Sequence, residues 1–294
     1  MVATVAVITP AYRAERWIVA CVRSVLAQTY TAFEHVIIAD DGVDYEALLA
    51  AAGIRDGRLK FLSSGAIGGG ASRARNVALD AIGTDHAAIL DADDRFKPDK
   101  LERAVAALEH HAIVSVALDE FDEQGRRLRL VGQGADRELA PAVYKWTCLS
   151  MDSMLLWDRR RTDARYDLEL TNMTDLELLL QLYRTVPASW HLGTPLHDYL
   201  KLTVSMSNGP GVTEKMLRSK REMLRRLETG HYPMADPAGP EGMAAFLRLS
   251  LMAEETYPAA AAARPGLLFE DHLEPLLREF PVRNPAPAIP PHRA

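Results

Sequence analysis

Three carboxylates fall within four residues in the stretch "AAILDADDRFKPDKLE", Ala87 to Glu102: Asp91, Asp93 and Asp94. The apolar run before them predicts a buried strand, and the pattern after them an amphipathic helix. In extended chain, residues two apart point the same way, so Asp91 and Asp93 can project together ~7 Å apart. Carboxylates that close repel one another unless protonated or neutralised. A hard divalent cation with oxygen ligands is the simplest neutraliser. An ordinary helix-entry loop would carry the same residues. An Asp-x-Asp phosphatase nucleophile would follow a strand near the start of its fold, whereas this cluster follows the fourth.

Two further stretches carry chemistry. Asp40 and Asp41 end the apolar run "EHVIIADDG". The Gly-rich "SSGAIGGGASRARNVALD", Ser63 to Asp80, lets a backbone approach a ligand, and the helix after it offers its positive end to an anion. Arg73 and Arg75 add charge there. The loop is not G-x-G-x-x-G, follows the third strand, and contains no Gly-Lys-Ser/Thr. Neither a dinucleotide fingerprint nor a Walker loop is therefore indicated. Thr174-Asp-Leu-Glu177 reads as a capping box with Thr174 as N-cap. Asp175 would then lie in the first turn, kept ionised by the helix dipole.

The elements that must position these groups alternate. Strands are expected at Thr4–Pro10, Glu34–Gly42, Leu59–Ser64 and His86–Leu90. Helices are expected after the first, third and fourth, the last with Pro98 in its first turn. This β-α-β-β-α-β-α rhythm predicts an α/β fold with a mostly parallel central sheet flanked by helices, whose ligands sit at the carboxyl ends of the strands. "AIVSVALDEFDEQGRRLRLVG" reads as two strands around a Gln-Gly turn, "SMDSMLLWDRR" as another strand, and Thr174–Thr185 as a short buried helix. The expected division is an α/β domain over 1–208, a helical region over 209–280 and a Pro-rich flexible tail over 281–294.

The 294 residues are 48% hydrophobic and 25% charged, with a net charge of −6. A nucleic-acid partner is not indicated. Two cysteines cannot build a disulfide framework, which suits a reducing compartment. The N-terminus reads as a strand rather than a signal peptide, and no apolar run is long enough to span a membrane.

Taken together, these stretches resemble glycosyltransferase family 2, whose members are inverting nucleotide-sugar enzymes of the GT-A fold. Five blocks match in order: "VITPAYRAERWIVACVRSVLAQTY", "VIIADDG", "GGGASRARNVALD", "LDADDRFKPDKLE" and "RYDLELTNMTDLELLLQL". The resemblance covers roughly residues 2 to 208. It implies a GT-A domain with a C-terminal helical appendage. It also implies inverting, metal-dependent transfer from a UDP- or GDP-sugar, with UDP favoured, to a glycan, lipid-linked or small-molecule acceptor. Polysaccharide assembly in the cytoplasm, or at the inner face of the membrane, is the expected setting. By position, Pro10, Tyr12 and Asp41, with Asp40, would hold the base and ribose. Gly70 and Arg75 would lie by the nucleotide, and Asp91 by the ribose or sugar. Asp93 would ligate Mg²⁺ or Mn²⁺ on the diphosphate, and Asp175 would be the general base.

Departures from the family pattern matter. Thr174 stands where the family has Glu, and Gln181 where an arginine is common. In "YLKLTVSMS", Tyr199, Ser205 and Ser207 are kept, but Leu200 and Leu202 replace an arginine and a histidine that helps hold metal or diphosphate. His197 and Lys201 read as surface residues rather than substitutes. A degenerate, non-catalytic nucleotide-binding or scaffolding relative is the alternative. A nucleotidyltransferase would need a Gly-rich loop after the first strand, and "TPAYRAERW" has none. The basic run Lys215–Arg226 marks a solvated, membrane-surface or partner helix, and homodimerisation through this region is a further expectation.

Overall fold

The computed structural model describes residues 3–149, 154–202 and 211–280. The first half alternates: β1 (Val5–Ala11), α1 (Ile18–Leu26), β2 (Phe33–Ala39), α2 (Tyr45–Ala51), β3 (Leu59–Ser63), α3 (Ala71–Ala81) and β4 (His86–Ile89). Helix α2 was not expected from the sequence. It is only seven residues long; the Asp44 side chain caps it by accepting from the Ala47 N–H, and Tyr45 and Leu49 anchor it. Strand β5 (Arg95–Phe96) and helix α4 (Lys100–Leu108) follow. Pro98 lies just before the N-cap Asp99 rather than in the first turn, and its carbonyl accepts from the Thr29 N–H.

The second half supplies β6 (Ile113–Phe121), β7 (Arg127–Val131), β8 (Arg137–Leu139), the short helix α5 (Tyr144–Thr147), β9 (Leu156–Asp158), α6 (Thr174–Leu182) and β10 (Ser189–Leu200). Among the described residues the strands form one sheet in the order β3-β2-β1-β4-β9-β6-β10-β5, with β7 on β6 and β8 on β10. The β3-β2-β1-β4 half is parallel, as is β6 with β10, while β9 runs antiparallel between β4 and β6. The expected α/β architecture is therefore present, with antiparallel strands added to its later half. Residues 150–153 of the strand expected near β9 lie outside the described residues.

Period-two alternation sends β1 side chains to both faces, as a sheet covered on each side requires. Val5 and Val7 pack with Cys21 and Val25 of α1 and with Leu101 and Val105 of α4. Ala6 and Ile8 pack on the other face with Ala74 and Ala78 of α3. Helices α7 (Val212–Glu228), α8 (Gly239–Ala263) and α9 (Phe269–Glu279) join that second core through Met223, Leu227, Phe246, Leu247, Leu273 and Leu277. Two residues of the basic stretch on α7, Lys220 and Arg226, turn inside the chain, while Lys215, Arg218, Arg221 and Arg225 stay exposed. Lys220 is buried against Glu254, Arg226 is buried among carboxylates, and Arg225 pairs with Glu222. The boundary near residue 208, Ser205, Ser207 and the 281–294 tail fall outside the described residues. No helix among the described residues is long and apolar enough to cross a membrane.

Candidate active site

The ends of β1, β2, β3 and β4 share one edge of the sheet, and the chemistry-bearing residues gather there. Pro10 lies near the end of β1, paired with Ile38 of β2. Tyr12 follows the strand and is 47% exposed, with its ring beside Gly68 of the Gly-rich loop and the Arg13 guanidinium 5.2 Å from its centroid. It presents an aromatic face to solvent at the mouth of the site.

The two aspartates after β2 have structural partners. Asp40 is buried and accepts from the Ser64 hydroxyl at 2.5 Å, the Gly69 N–H at 3.1 Å and the Gly70 N–H at 2.8 Å. Gly70 is the N-cap of α3 at φ +95°, so the anion at this helix start is the chain's own Asp40. The sequence pointed to a ligand anion there; the Gly69 and Gly70 N–H groups are taken by Asp40. Asp41 accepts from the Arg13 N–H at 2.6 Å, the Val43 N–H at 3.0 Å and the Tyr45 hydroxyl at 2.8 Å. These bonds hold its carboxyl below the usual range against the opposing pull of burial. Arg13, at φ +53°, is one of two described non-glycine residues in the left-handed region, and its N–H is held by Asp41. Asp40 and Asp41 thus shape the loops that follow β1 and β3.

Arg75 joins the rest. It is buried on α3, with Nη2 2.6 Å from Asp91 Oδ1 and Nη1 3.0 Å from Asp175 Oδ1. Its guanidinium carbon lies 5.0 Å from the centroid of the Tyr166 ring. The Tyr166 hydroxyl donates to the same Asp175 oxygen at 3.1 Å, so Oδ2 is engaged by neither group. Burial raises the Asp175 carboxyl; Arg75 opposes that rise and Asp91 adds to it. The result is a carboxylate more basic than an exposed aspartate, as proton abstraction near neutral pH requires.

Asp175 does lie in the first turn of α6, but the expected capping box is not formed. Met173, at φ +62°, is the N-cap, Thr174 is the first helical residue, and no side chain caps the start. Glu177 is buried and accepts instead from the Gln181 Nε2 one turn on, at 2.8 Å. Gln181 also donates to the Arg165 carbonyl. The reciprocal bonds of a capping box are therefore replaced by a contact within α6 and a tie to the preceding loop.

Asp93 and Asp94 part company. Asp94 is buried, accepting from the Leu200 N–H at 2.8 Å, with its other oxygen 3.0 Å from His197 Nε2. His197 Nδ1 lies 2.8 Å from the buried Lys100 Nζ. His197 is therefore a core residue on β10 that anchors the acidic turn, not a surface histidine. Lys201 is also drawn inward, pairing with Glu120 at 3.0 Å and Glu270 at 2.8 Å. No short-range pattern could show the Asp94–His197–Lys100 chain, because His197 lies 103 residues from Asp94 and 97 from Lys100.

Asp93 lines a cleft of about 380 Å³ with Trp17, Arg95, Phe121, Tyr199 and Leu200. Burial and the charge of Asp91 push its carboxyl up to about 7. It makes no ion pair among the described residues, and no cage of three metal-ligating side chains is found among them. A single uncompensated carboxylate suits Mg²⁺ or Mn²⁺, which take one or two protein carboxylates and complete their shell with water and substrate phosphates. The donor set therefore fits a cation shared with a diphosphate. Leu202, which stands where the family pattern has a histidine, offers no side-chain donor.

Comparison with known proteins places the chain in a family and a fold. The family model described as "Glycosyl transferase family 2" matches residues 6–173. An uncharacterised glycosyltransferase of Rickettsia conorii is 32% identical over 155 residues, covering 51% of this chain and 25% of that one. WfgD of Escherichia coli, a UDP-Glc:alpha-D-GlcNAc-diphosphoundecaprenol beta-1,3-glucosyltransferase, is 36% identical over 104 residues, covering 35% of this chain and 40% of that one. The chain thus spans well under two thirds of the length of these relatives. The structure of Staphylococcus aureus TarS 1–349 with UDP-GlcNAc shares the fold, with a TM-score of 0.65 at 17% identity over 92% of this chain and 78% of that one.

Proposed function

Because this chain belongs to glycosyl transferase family 2, we propose that it transfers a sugar from a nucleotide-diphosphate sugar to an acceptor hydroxyl in a single, inverting displacement. The observation that carries this is Arg75, which holds Asp91 and Asp175 on one buried guanidinium. A carboxylate on the donor side and a raised, buried carboxyl are thereby fixed in one geometry before substrate arrives.

The residues divide the work. The exposed Tyr12 ring, beside a loop shaped by Asp40 and Asp41, offers a stacking surface for the base. Gly70 and its neighbours let the nucleotide approach the backbone. Asp91 faces the sugar side of the donor. Asp93 would hold Mg²⁺ or Mn²⁺, which stabilises charge on the leaving diphosphate as a Lewis acid. Asp175 takes the acceptor proton as the new bond forms, with Tyr166 and Arg75 fixing its orientation. One base opposite one leaving group gives inversion at the sugar carbon.

UDP is the favoured donor nucleotide, supported by the UDP donors named for WfgD and TarS. A lipid-linked or glycan hydroxyl in polysaccharide assembly is the favoured acceptor class, supported by the diphosphoundecaprenol acceptor named for WfgD. A donor panel tests the function directly, because water substitutes slowly for the acceptor and releases the nucleoside diphosphate. Metal-stimulated release from one UDP-sugar is expected, falling at least ~100-fold in Asp93→Ala and in Asp175→Asn. Release that neither substitution changes would overturn the assignment. The competing non-catalytic reading, in which the site binds a nucleotide without turnover, gains only if binding occurs and no donor is consumed.

A further inference from the structure

Tyr166 and Asp167 are neighbours in sequence but are held from opposite sides. The Tyr166 backbone is clamped by Asn76 of α3, whose amide donates to the Tyr166 carbonyl and accepts from its N–H, both at 2.8 Å. Its hydroxyl reaches Asp175. Asp167 turns instead to the C-terminal helices and pairs with Arg226 Nη1. Arg226 is buried on α7, with Nη2 3.0 Å from Glu169 and Nε 2.7 Å from Glu222. The buried Tyr232 hydroxyl lies 3.5 Å from its Nη1. Against the pull of burial, Arg226 holds the Asp167 carboxyl below its ordinary value.

We infer that Arg226 is a positioning residue for the reaction: by gripping Asp167 from α7, it fixes Tyr166 and, through the Tyr166 hydroxyl, the orientation of Asp175. The inference rests on Asp175 acting as the base. It gives the C-terminal helices a part in turnover rather than in donor binding. The buried, multiply paired guanidinium is suited to this. It meets three carboxylates with a rigid planar fork, and a lysine ammonium at the same place could satisfy only part of that geometry. The contacts with Asp167 and Glu169 lie 59 and 57 residues apart in sequence, so they tie two distant segments together.

The experiment uses the full chain labelled with 3-fluorotyrosine. Its nine tyrosines give separate fluorine resonances, and Tyr166 is the one lost in Tyr166→Phe. In Arg226→Gln the Tyr166 resonance should move. The turnover number should fall ~10- to 100-fold, as for a misplaced catalytic group, while donor KM stays within about twofold. Arg226→Lys should recover part of the loss. In a Tyr166→Phe background, Arg226→Gln should cost little more, because both act through one contact. Should Arg226→Gln not fold, Asp167→Asn breaks the same pair from the other side and is read in the same way. A Tyr166 resonance unmoved in the folded variant, or losses that multiply independently, would overturn the inference. If the wild-type chain consumes no donor, the proposed function fails while the fluorine resonance still decides the linkage.

Discussion

In the proposed reaction, Arg75 tunes Asp175 through their ion pair. A general base works only when ionised, and burial raises the Asp175 carboxyl while Arg75 restrains that rise. Turnover should therefore fall as pH drops through a limb above the ordinary carboxylate value of ~4. Arg75→Met removes the restraining charge, so the limb should move to higher pH. A profile of the turnover number against pH checks this, and a limb that stays put or moves down would contradict it. Asp91 and Asp93 stood out in the sequence as acidic residues at a strand end, and Asp175 was singled out by the family resemblance. Their partnership was not legible, because it depends on Arg75 spanning 16 residues to Asp91 and 100 to Asp175. The same limit hid His197. A histidine in "PLHDYL" gives no sign that Asp94 and Lys100 will close around it.

At the scale of elements, strands were easier to read than short helices. β1, β2, β3 and β4 announced themselves by apolar runs ending at proline, acid or a glycine loop. Helix α2 did not, since seven residues give only two inward positions and one cap to recognise. The capping box at Thr174 failed for a related reason. The pattern was present, but the loop enters α6 through a left-handed Met173 and leaves Glu177 to bond Gln181. Close packing also escapes sequence patterns. Gly242 on α8 lies against Ala142, and a Cβ there would come within 2.4 Å of the Ala142 Cα. Gly242→Ala should therefore lower stability by ~1–3 kcal/mol, because neither backbone can yield without moving a whole element. Denaturant unfolding measures this; an unchanged midpoint would mean that α8 is more loosely seated than described.

At the scale of the molecule, the C-terminal helices are part of one core with the sheet. Met223, Leu227 and Phe246 share it with Tyr144, Leu178 and Leu179. A chain ending at residue 208 would expose that face, and it should aggregate or lose its cooperative melt, as calorimetry and light scattering would show. A soluble, cooperatively folding fragment would instead make 209–280 an independent addition. Asp93, which makes no ion pair among the described residues, lines the cleft where the proposed function puts the diphosphate. Calorimetric titration with UDP, with and without Mn²⁺, on the native chain and on Asp93→Ala tests that arrangement most directly. UDP binding that requires Mn²⁺ and disappears in Asp93→Ala is the predicted result. Binding indifferent to both the metal and the substitution would contradict a metal-held diphosphate at this site.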